Sequence, residues 1–175
     1  KTFKMKKTIF ITGATSGIGK ATAEVFAKQG HRLIICGRRK EVLDNLQIQL
    51  SNFTDVYSLV FDVRNQQEVQ NAINSLPEDW KNIDVLVNNA GNAHGLEPIS
   101  DANISDWDAM MDGNVKGLLY VSQPIIKLMK ANNSGHIVNI SSVAARQTYA
   151  NGTVYCASKK AVDVISEGMR LELTE

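Results

Sequence analysis

The sequence of 175 residues contains few cysteines and few prolines. The two cysteines, Cys36 and Cys156, are far apart, and they provide neither the clustered ligands of a metal site nor a disulfide framework. No metal is therefore predicted. Because free thiols are typical of reducing compartments, we expect a cytoplasmic protein.

Charge of one sign and long apolar runs are also lacking. The formal net charge is +1, which gives no electrostatic basis for binding nucleic acid or an anionic membrane surface. Residues 1–7 are basic but lack the apolar run of a signal peptide, and the apolar run at residues 8–12 is too short to span a bilayer. With 43% hydrophobic residues, the chain has the composition of one globular domain over residues 1–175.

What the sequence does contain is a regular alternation of short apolar runs and helix patterns. The runs predict strands at residues 8–12, 32–36, 56–61, 83–87 and 135–140. Strands that alternate with helices form a parallel sheet with helices on both faces. The predicted fold class is therefore α/β, a doubly wound parallel sheet of the Rossmann type.

A glycine-rich turn of the pattern G-x-x-x-G-x-G follows the first predicted strand and opens a helix. Glycines allow the backbone to turn tightly and to approach a pyrophosphate, and a helix N-terminus offers free N–H groups. We predict a dinucleotide site at Gly13, Thr15, Ser16, Gly17, Ile18 and Gly19; the alternative is a turn that binds nothing. Ile18, Ala21, Val25 and Phe26 are expected on one face of the helix.

Two arginines follow the second predicted strand. At this place an acidic residue would hold the ribose 2′-OH of NAD, but the sequence reads Gly37-Arg38-Arg39. The planar donor fork of an arginine suits a phosphate. We therefore predict NADP(H) rather than NAD(H), with Arg38 and Arg39 at the 2′-phosphate. The alternative is that both arginines merely start the next helix.

Small and polar residues follow the third and fourth strands. These are Asp62-Val63 and Asn88-Asn89-Ala90-Gly91. Ligands of open α/β sheets bind outside the carboxyl ends of the strands, so this edge is the predicted ligand crevice. Asp62 is predicted to accept a hydrogen bond from the adenine amino group. For Asn88 we favour a structural role, in which its side chain ties two loops together.

Tyr155 and Lys159 lie four positions apart on a predicted helix and therefore share one face. A phenol is a poor acid or base near neutrality, and a nearby ammonium favours the phenolate. Such a pair could move a proton at a carbonyl or an alcohol. Taken alone, the pattern also describes an ordinary exposed helix face.

A long helix is predicted from about residue 104 to about residue 131, with Ser105 as its N-cap. Asn114 lies in its interior beside Gly113, and asparagine is a mediocre helix former. Asn114 is therefore either a functional amide at a local distortion or a tolerated residue. In the helix after Tyr155, small residues form a stripe that would pack within the subunit or against a second one.

Taken together, the chain resembles the short-chain dehydrogenase/reductase family. The matching motifs, in order and spacing, are Thr12-Gly13-x-x-x-Gly17-x-Gly19, Asp62-Val63, Asn88-Asn89-Ala90-Gly91, Asn114 in Asn-Val-Lys-Gly, Ser142 and Tyr155-x-x-x-Lys159. Three further segments look like the subgroup of NADP-dependent 3-hydroxy acid dehydrogenases, which act on serine, L-allo-threonine and related acids: Cys36-Gly37-Arg38-Arg39, Leu76-Pro77-Glu78-Asp79-Trp80 and Gly95-Leu96-Glu97-Pro98.

The resemblance implies a role for each matching residue. Tyr155 would be the general acid/base, Lys159 would favour its phenolate and hold the nicotinamide ribose, and Ser142 would bind the substrate oxygen. Asn114 would position a water in a proton relay with Lys159. Further cofactor contacts are implied at Val63, Asn89, Ala90 and Gly91.

Three points stay open beyond the motifs. Arg146 is either a carboxylate anchor for the substrate or an exposed loop residue. The substrate could instead be a ketone or a 3-oxoacyl group, or the protein could be an NADP-binding scaffold without turnover. The family implies a homotetramer, and it continues past the catalytic helix with a sixth strand, a substrate lid and a seventh strand, a region that we expect to be absent from this chain.

Overall fold

The computed structural model describes residues 6–174, so most of the basic segment at residues 1–7 lies outside the described residues. The described part contains five strands in one parallel sheet, in the order β3-β2-β1-β4-β5. This sheet, with its flanking helices, confirms the predicted fold class. The strands are β1 (Thr8–Ile11), β2 (Arg32–Gly37), β3 (Val56–Val60), β4 (Val85–Asn88) and β5 (His136–Asn139).

Helices occupy most of the connections between these strands. They are α1 (Gly17–Lys28), α2 (Lys40–Leu50), α3 (Gln66–Asn74), α4 (Ile104–Met111), α5 (Gly117–Ala131) and α6 (Thr153–Leu173). Short 3₁₀ turns occur at Glu78–Trp80 and Val143–Ala145. Among residues 6–174, none of these helices has the length and apolar character needed to cross a bilayer.

The core has two layers because the side chains of each strand alternate between the two faces of the sheet. Phe10 of β1 packs on one face with residues of α3 and α5. Ile9 and Ile11 pack on the other face with residues of α1 and α2. Both faces of the sheet are therefore covered, which explains why its strands read as continuous apolar runs.

The face of α1 that packs on the sheet differs from the predicted one. Ile18 and Val25 are 61% and 54% exposed, whereas Gly19, Ala23 and Ala27 are buried. The physical reason is close backbone approach: a Cβ at Gly19 would overlap the Gly13 carbonyl. Because the helix lies so near the turn and the sheet, only small residues fit on its inner face.

The helix that carries Asn114 is also different in detail. Its N-cap is Asn103, not Ser105, because the Asn103 Oδ1 accepts hydrogen bonds from the Ser105 N–H and hydroxyl. The helix is interrupted by a π-helical turn at Asp112–Lys116, which separates α4 from α5. Of the two alternatives for Asn114, the structure therefore supports a local distortion, and such turns are frequent at functional sites.

The corrected face of α1 yields a stability prediction. Replacing Ala23 with Leu should lower the free energy of unfolding by about 1–3 kcal/mol, because the fully buried position has no room for the larger side chain. Val25→Leu, on the exposed face, should change it by less than about 0.5 kcal/mol. Denaturant unfolding of both variants tests this, and equal effects would contradict the assignment of the buried face.

Candidate active site

The centre of the site is the junction between the carboxyl ends of β1 and β4. The Thr12 hydroxyl accepts hydrogen bonds from the backbone N–H groups of Asn89 (3.0 Å) and Ala90 (2.9 Å). In return, the Asn89 side-chain amide donates to the carbonyls of Thr12 and Gly13. This junction is the switch point of the sheet, because the chain leads away from β1 and β4 toward opposite edges, and ligands bind at such points.

The glycine turn between β1 and α1 adopts backbone conformations that favour glycine. Gly13 and Gly17 have positive φ angles of 62° and 54°. A Cβ at Gly13 would lie 2.9 Å from the Cα of Ala90, so the turn can approach the β4 loop only without a side chain. Ser16, the N-cap residue of α1, makes no side-chain capping bond, which leaves the first N–H groups of the helix available to an anion.

A cavity of about 600 Å³ runs along this edge of the sheet. Its volume is in the range of small-molecule and cofactor sites. The cavity brings together most of the predicted site residues: Gly13, Thr15, Ser16, Ile18, Arg38, Arg39, Asp62, Val63, Asn89, Ala90, Gly91, Ser142, Tyr155 and Lys159. Gly17 and Gly19 shape the turn without lining the cavity. Residues that the sequence reasoning missed include Arg64 and Asn92.

The end of the cavity beside β2 and β3 is rich in charge. Arg39 donates to the Thr15 hydroxyl on the glycine turn (2.9 Å), and Arg38 lies 3.6 Å from an Asp62 oxygen. Arg39 is also the N-cap residue of α2, so the arginines both precede a helix and line the cavity. Partial burial alone would raise the pKa of Asp62, but hydrogen bonds from Arg64 and the charge of Arg38 outweigh it and lower that pKa.

The other end of the cavity is formed by β5 and α6. Lys159 is only 7% exposed, and its Nζ donates to the carbonyl of Ile140 at 2.9 Å. Burial lowers the pKa of the Lys159 ammonium. Ser142 accepts from the Ala144 N–H through its hydroxyl oxygen, so the hydroxyl hydrogen can donate to a ligand. Tyr155, one helical turn before Lys159, is half-buried and lines the same cavity.

The amide of Asn114 is buried behind the cavity and does not line it. Its oxygen accepts from the Asn92 N–H, and its nitrogen donates to the Asn92 carbonyl and the Ser158 hydroxyl, at 2.8 to 3.0 Å. Ser158 donates in turn to the Tyr155 carbonyl. Asn114 therefore ties the β4 loop to the start of α6, and the water relay implied by the family stays a prediction.

Two other predicted residues lie apart from the cavity lining. Asn88 donates from its side chain to Ser122 on α5 and to Asn139 on β5, so its role is structural, but it joins a helix and a strand and not the two loops that were predicted. Arg146 is exposed at the end of a 3₁₀ turn that follows Ser142. Its role as a carboxylate anchor stays a prediction.

Comparison with known proteins gives a consistent picture. The family model described as short chain dehydrogenase matches residues 7–175. The NADP-dependent 3-hydroxy acid dehydrogenase YdfG of Escherichia coli is 43% identical over 165 residues, which cover 94% of this chain. Sulfoacetaldehyde reductase 2 of Chromohalobacter salexigens is 41% identical over 170 residues, 97% of this chain and 68% of that protein.

The solved structures agree with these sequence relatives. The closed form of serine dehydrogenase complexed with NADP⁺ superposes with a TM-score of 0.90 at 42% identity, and the match covers 95% of this chain and 66% of that one. The chain likewise spans 66% of the length of YdfG.

The burial of Lys159 predicts a pH-dependent stability. Because its pKa is lowered in the folded state, the unfolded state binds the proton more tightly, and folding becomes more favourable as pH rises through the lowered pKa toward the ordinary value of about 10.4. The free energy of unfolding of the parent protein should therefore rise relative to Lys159→Met as the pH increases from the lowered pKa of Lys159 toward about 10.4.

Denaturant titrations at several pH values measure this difference. Lys160→Met is the matched control, because Lys160 is exposed on the same helix. A Lys159→Met difference that stays constant with pH would show that burial does not disfavour the ammonium.

Proposed function

Because the chain belongs to the short-chain dehydrogenase family, we propose that it is an NADP-dependent oxidoreductase that interconverts the hydroxyl and carbonyl groups of a short 3-hydroxy acid. The observation that carries this proposal is the continuous cavity that joins Arg38 and Arg39 at one end to Tyr155 and Lys159 at the other. A dinucleotide phosphate needs both ends: cationic donors for a phosphate and a proton-transfer group beside the reacting carbon.

From one end of the cavity to the other, the lining residues suit the successive groups of NADP. The glycine turn and the N-terminus of α1 would hold the pyrophosphate, and Arg38 and Arg39 would hold the 2′-phosphate. Asp62 and Val63 would contact the adenine, and residues 89–91 would border the ribose. Tyr155 and Lys159 would contact the nicotinamide ribose. The cofactor, when bound, supplies or accepts a hydride.

Tyr155 carries the proton transfer in this mechanism. In reduction its hydroxyl donates a proton to the substrate carbonyl oxygen, while Ser142 donates a hydrogen bond to the same oxygen. In oxidation Tyr155 accepts the alcohol proton. Lys159, held by the Ile140 carbonyl, provides the positive charge that favours the phenolate.

The substrate class rests on similarity and on one cationic residue. A 3-hydroxy acid carries a carboxylate, and we propose Arg146, an exposed arginine four residues after Ser142, as its anchor. The name of YdfG supports a 3-hydroxy acid, and that of the solved relative supports serine. We also propose a homotetramer, as the family implies; the stripe on α6 that would meet another subunit includes Ala157, Ala161, Ile165, Gly168 and Val164, of which Val164 is 60% exposed.

Turnover with a hydroxy acid tests the proposed function. Purified protein should reduce NADP⁺ in the presence of L-allo-threonine or L-serine, followed by absorbance of NADPH. Tyr155→Phe should lower kcat by about 10² to 10⁴, because it removes the proton-transfer group. Tyr120→Phe, the same change on α5, should leave kcat unaltered. Binding of NADPH without turnover on hydroxy acids, ketones or 3-oxoacyl substrates would favour a binding scaffold instead.

The role of Arg146 is tested separately. Arg146→Ala should raise KM for a hydroxy acid about tenfold or more, the effect of losing a charged hydrogen bond. It should leave KM unaltered for a matched alcohol that lacks the carboxylate. An unchanged KM for the hydroxy acid would rule out Arg146 as the anchor.

A further inference from the structure

The charged end of the cavity contains a third arginine, Arg64, besides Arg38 and Arg39. Arg64 follows Asp62 by two residues and lines the cavity with it. Its guanidinium contacts both carboxylate oxygens of Asp62, with an Nη2–Oδ2 distance of 2.6 Å and Nε distances of 3.0 and 3.1 Å. The contact from Arg38 to the same Oδ2 is longer, at 3.6 Å. Asp62 is thus bound mainly by Arg64.

The position of Asp62 creates an electrostatic conflict. A carboxylate beside a phosphate site repels the phosphate, and it competes with the phosphate for the same arginine. Arg38 is the residue at risk, because its side chain is 62% exposed and Asp62 lies within ion-pair distance. Without another cation on Asp62, the existing 3.6 Å ion pair between Arg38 and Asp62 would tighten, and the carboxylate would offset more of the Arg38 charge.

The local structure keeps Arg64 on Asp62. The Arg64 backbone N–H donates to Asp62 Oδ1 at 3.0 Å, which closes a tight turn at the end of β3. The side chain of Asn65 then caps α3, and Glu68 accepts from the Asp62 backbone N–H. The turn is therefore held by several hydrogen bonds, and the short segment between the two residues keeps the guanidinium and the carboxylate together.

We propose that Arg64 strengthens the preference for NADP over NAD by holding the Asp62 carboxylate, which leaves Arg38 only loosely paired and able to bind the 2′-phosphate. Arg64 is a positioning residue in this scheme, since it acts through Asp62 and not by touching the phosphate. The inference rests on the proposed function, because it requires that NADP is the cofactor. The inference gives the two arginines after β2 different surroundings. Arg39 donates to the Thr15 hydroxyl, whereas the charge that Arg38 can offer depends on whether Asp62 is held by Arg64.

Binding of reduced cofactors tests this role without any turnover. The dissociation constants of NADPH and NADH are measured by nucleotide fluorescence for the parent protein and for Arg64→Gln. Arg64→Gln should lower the ratio of NADPH affinity to NADH affinity by roughly two- to fivefold, within the range that exposed ion pairs give. NADH affinity should stay nearly constant, because NADH has no 2′-phosphate.

A second substitution distinguishes this role from a structural one. In the double variant Arg64→Gln/Asp62→Asn, the carboxylate that would capture Arg38 is gone, so the affinity ratio should return toward the parent value. Loss of an adenine contact would weaken both cofactors alike and leave the ratio unaffected. Arg170→Gln removes the same charge near the end of α6, roughly 22 Å along the helix from Tyr155, and should leave the ratio unaltered.

Three outcomes would overturn the inference. Equal weakening of NADPH and NADH binding by Arg64→Gln would show that Arg64 only supports the local structure. A ratio that fails to recover in the double variant would show that Asp62 is not the intermediary. A parent protein that binds NADH as tightly as NADPH would overturn the proposed cofactor as well, so failure of the proposed function is separable from failure of this role.

Discussion

The site depends on the hydrogen bonds between the ends of β1 and β4. Thr12 and Asn89 satisfy each other's backbone groups there, which fixes the glycine turn and the β4 loop as one surface. Buried backbone N–H and C=O groups need hydrogen-bond partners, and this junction provides them at the switch point of the sheet. The cavity is the space that remains beside it. Its two ends are formed by residues that follow the neighbouring strands: Arg38 and Arg39 after β2, and Ser142 after β5.

A second set of hydrogen bonds positions the start of α6, which carries Tyr155 and Lys159, relative to this surface. The Asn114 amide makes three hydrogen bonds, to Asn92 twice and to Ser158. The π-helical turn is what places this amide between α6 and the β4 loop, so a departure from regular helix geometry here has a clear structural use. Burial of Lys159 works against stability in the same region, because burial disfavours its charge. The Lys159 ammonium nevertheless lies one helical turn from Tyr155, where the proposed proton transfer would need a positive charge.

Much of the fold and most of the cavity lining were predictable from the sequence, because both follow from local patterns. Apolar runs and the glycine turn predict the parallel sheet and its ligand edge. The features that the sequence did not reveal depend on contacts that exist only in the folded chain. The inner face of α1 is set by the approach of Gly19 to Gly13, which hydrophobic periodicity does not register. The bond from Asn114 to Ser158 joins residues 44 positions apart, and no local pattern indicates it.

Arg64 was missed for a different reason. It lies directly after the Asp62-Val63 motif, but an arginine at the start of a helix segment has no periodic or spacing signal of its own, and its partner is visible only in the folded turn.

The two ends of the cavity also depend on different physical interactions. Partly exposed ion pairs act at the Arg38 end, where salt and single substitutions shift them easily. At the other end, the Lys159 side chain is buried, and the residues packed around it hold it in place. No hydrogen bond found among residues 6–174 directly joins Arg64 or Asp62 to Tyr155 or Lys159, so substitutions at the first pair would leave the proposed proton-transfer groups in place.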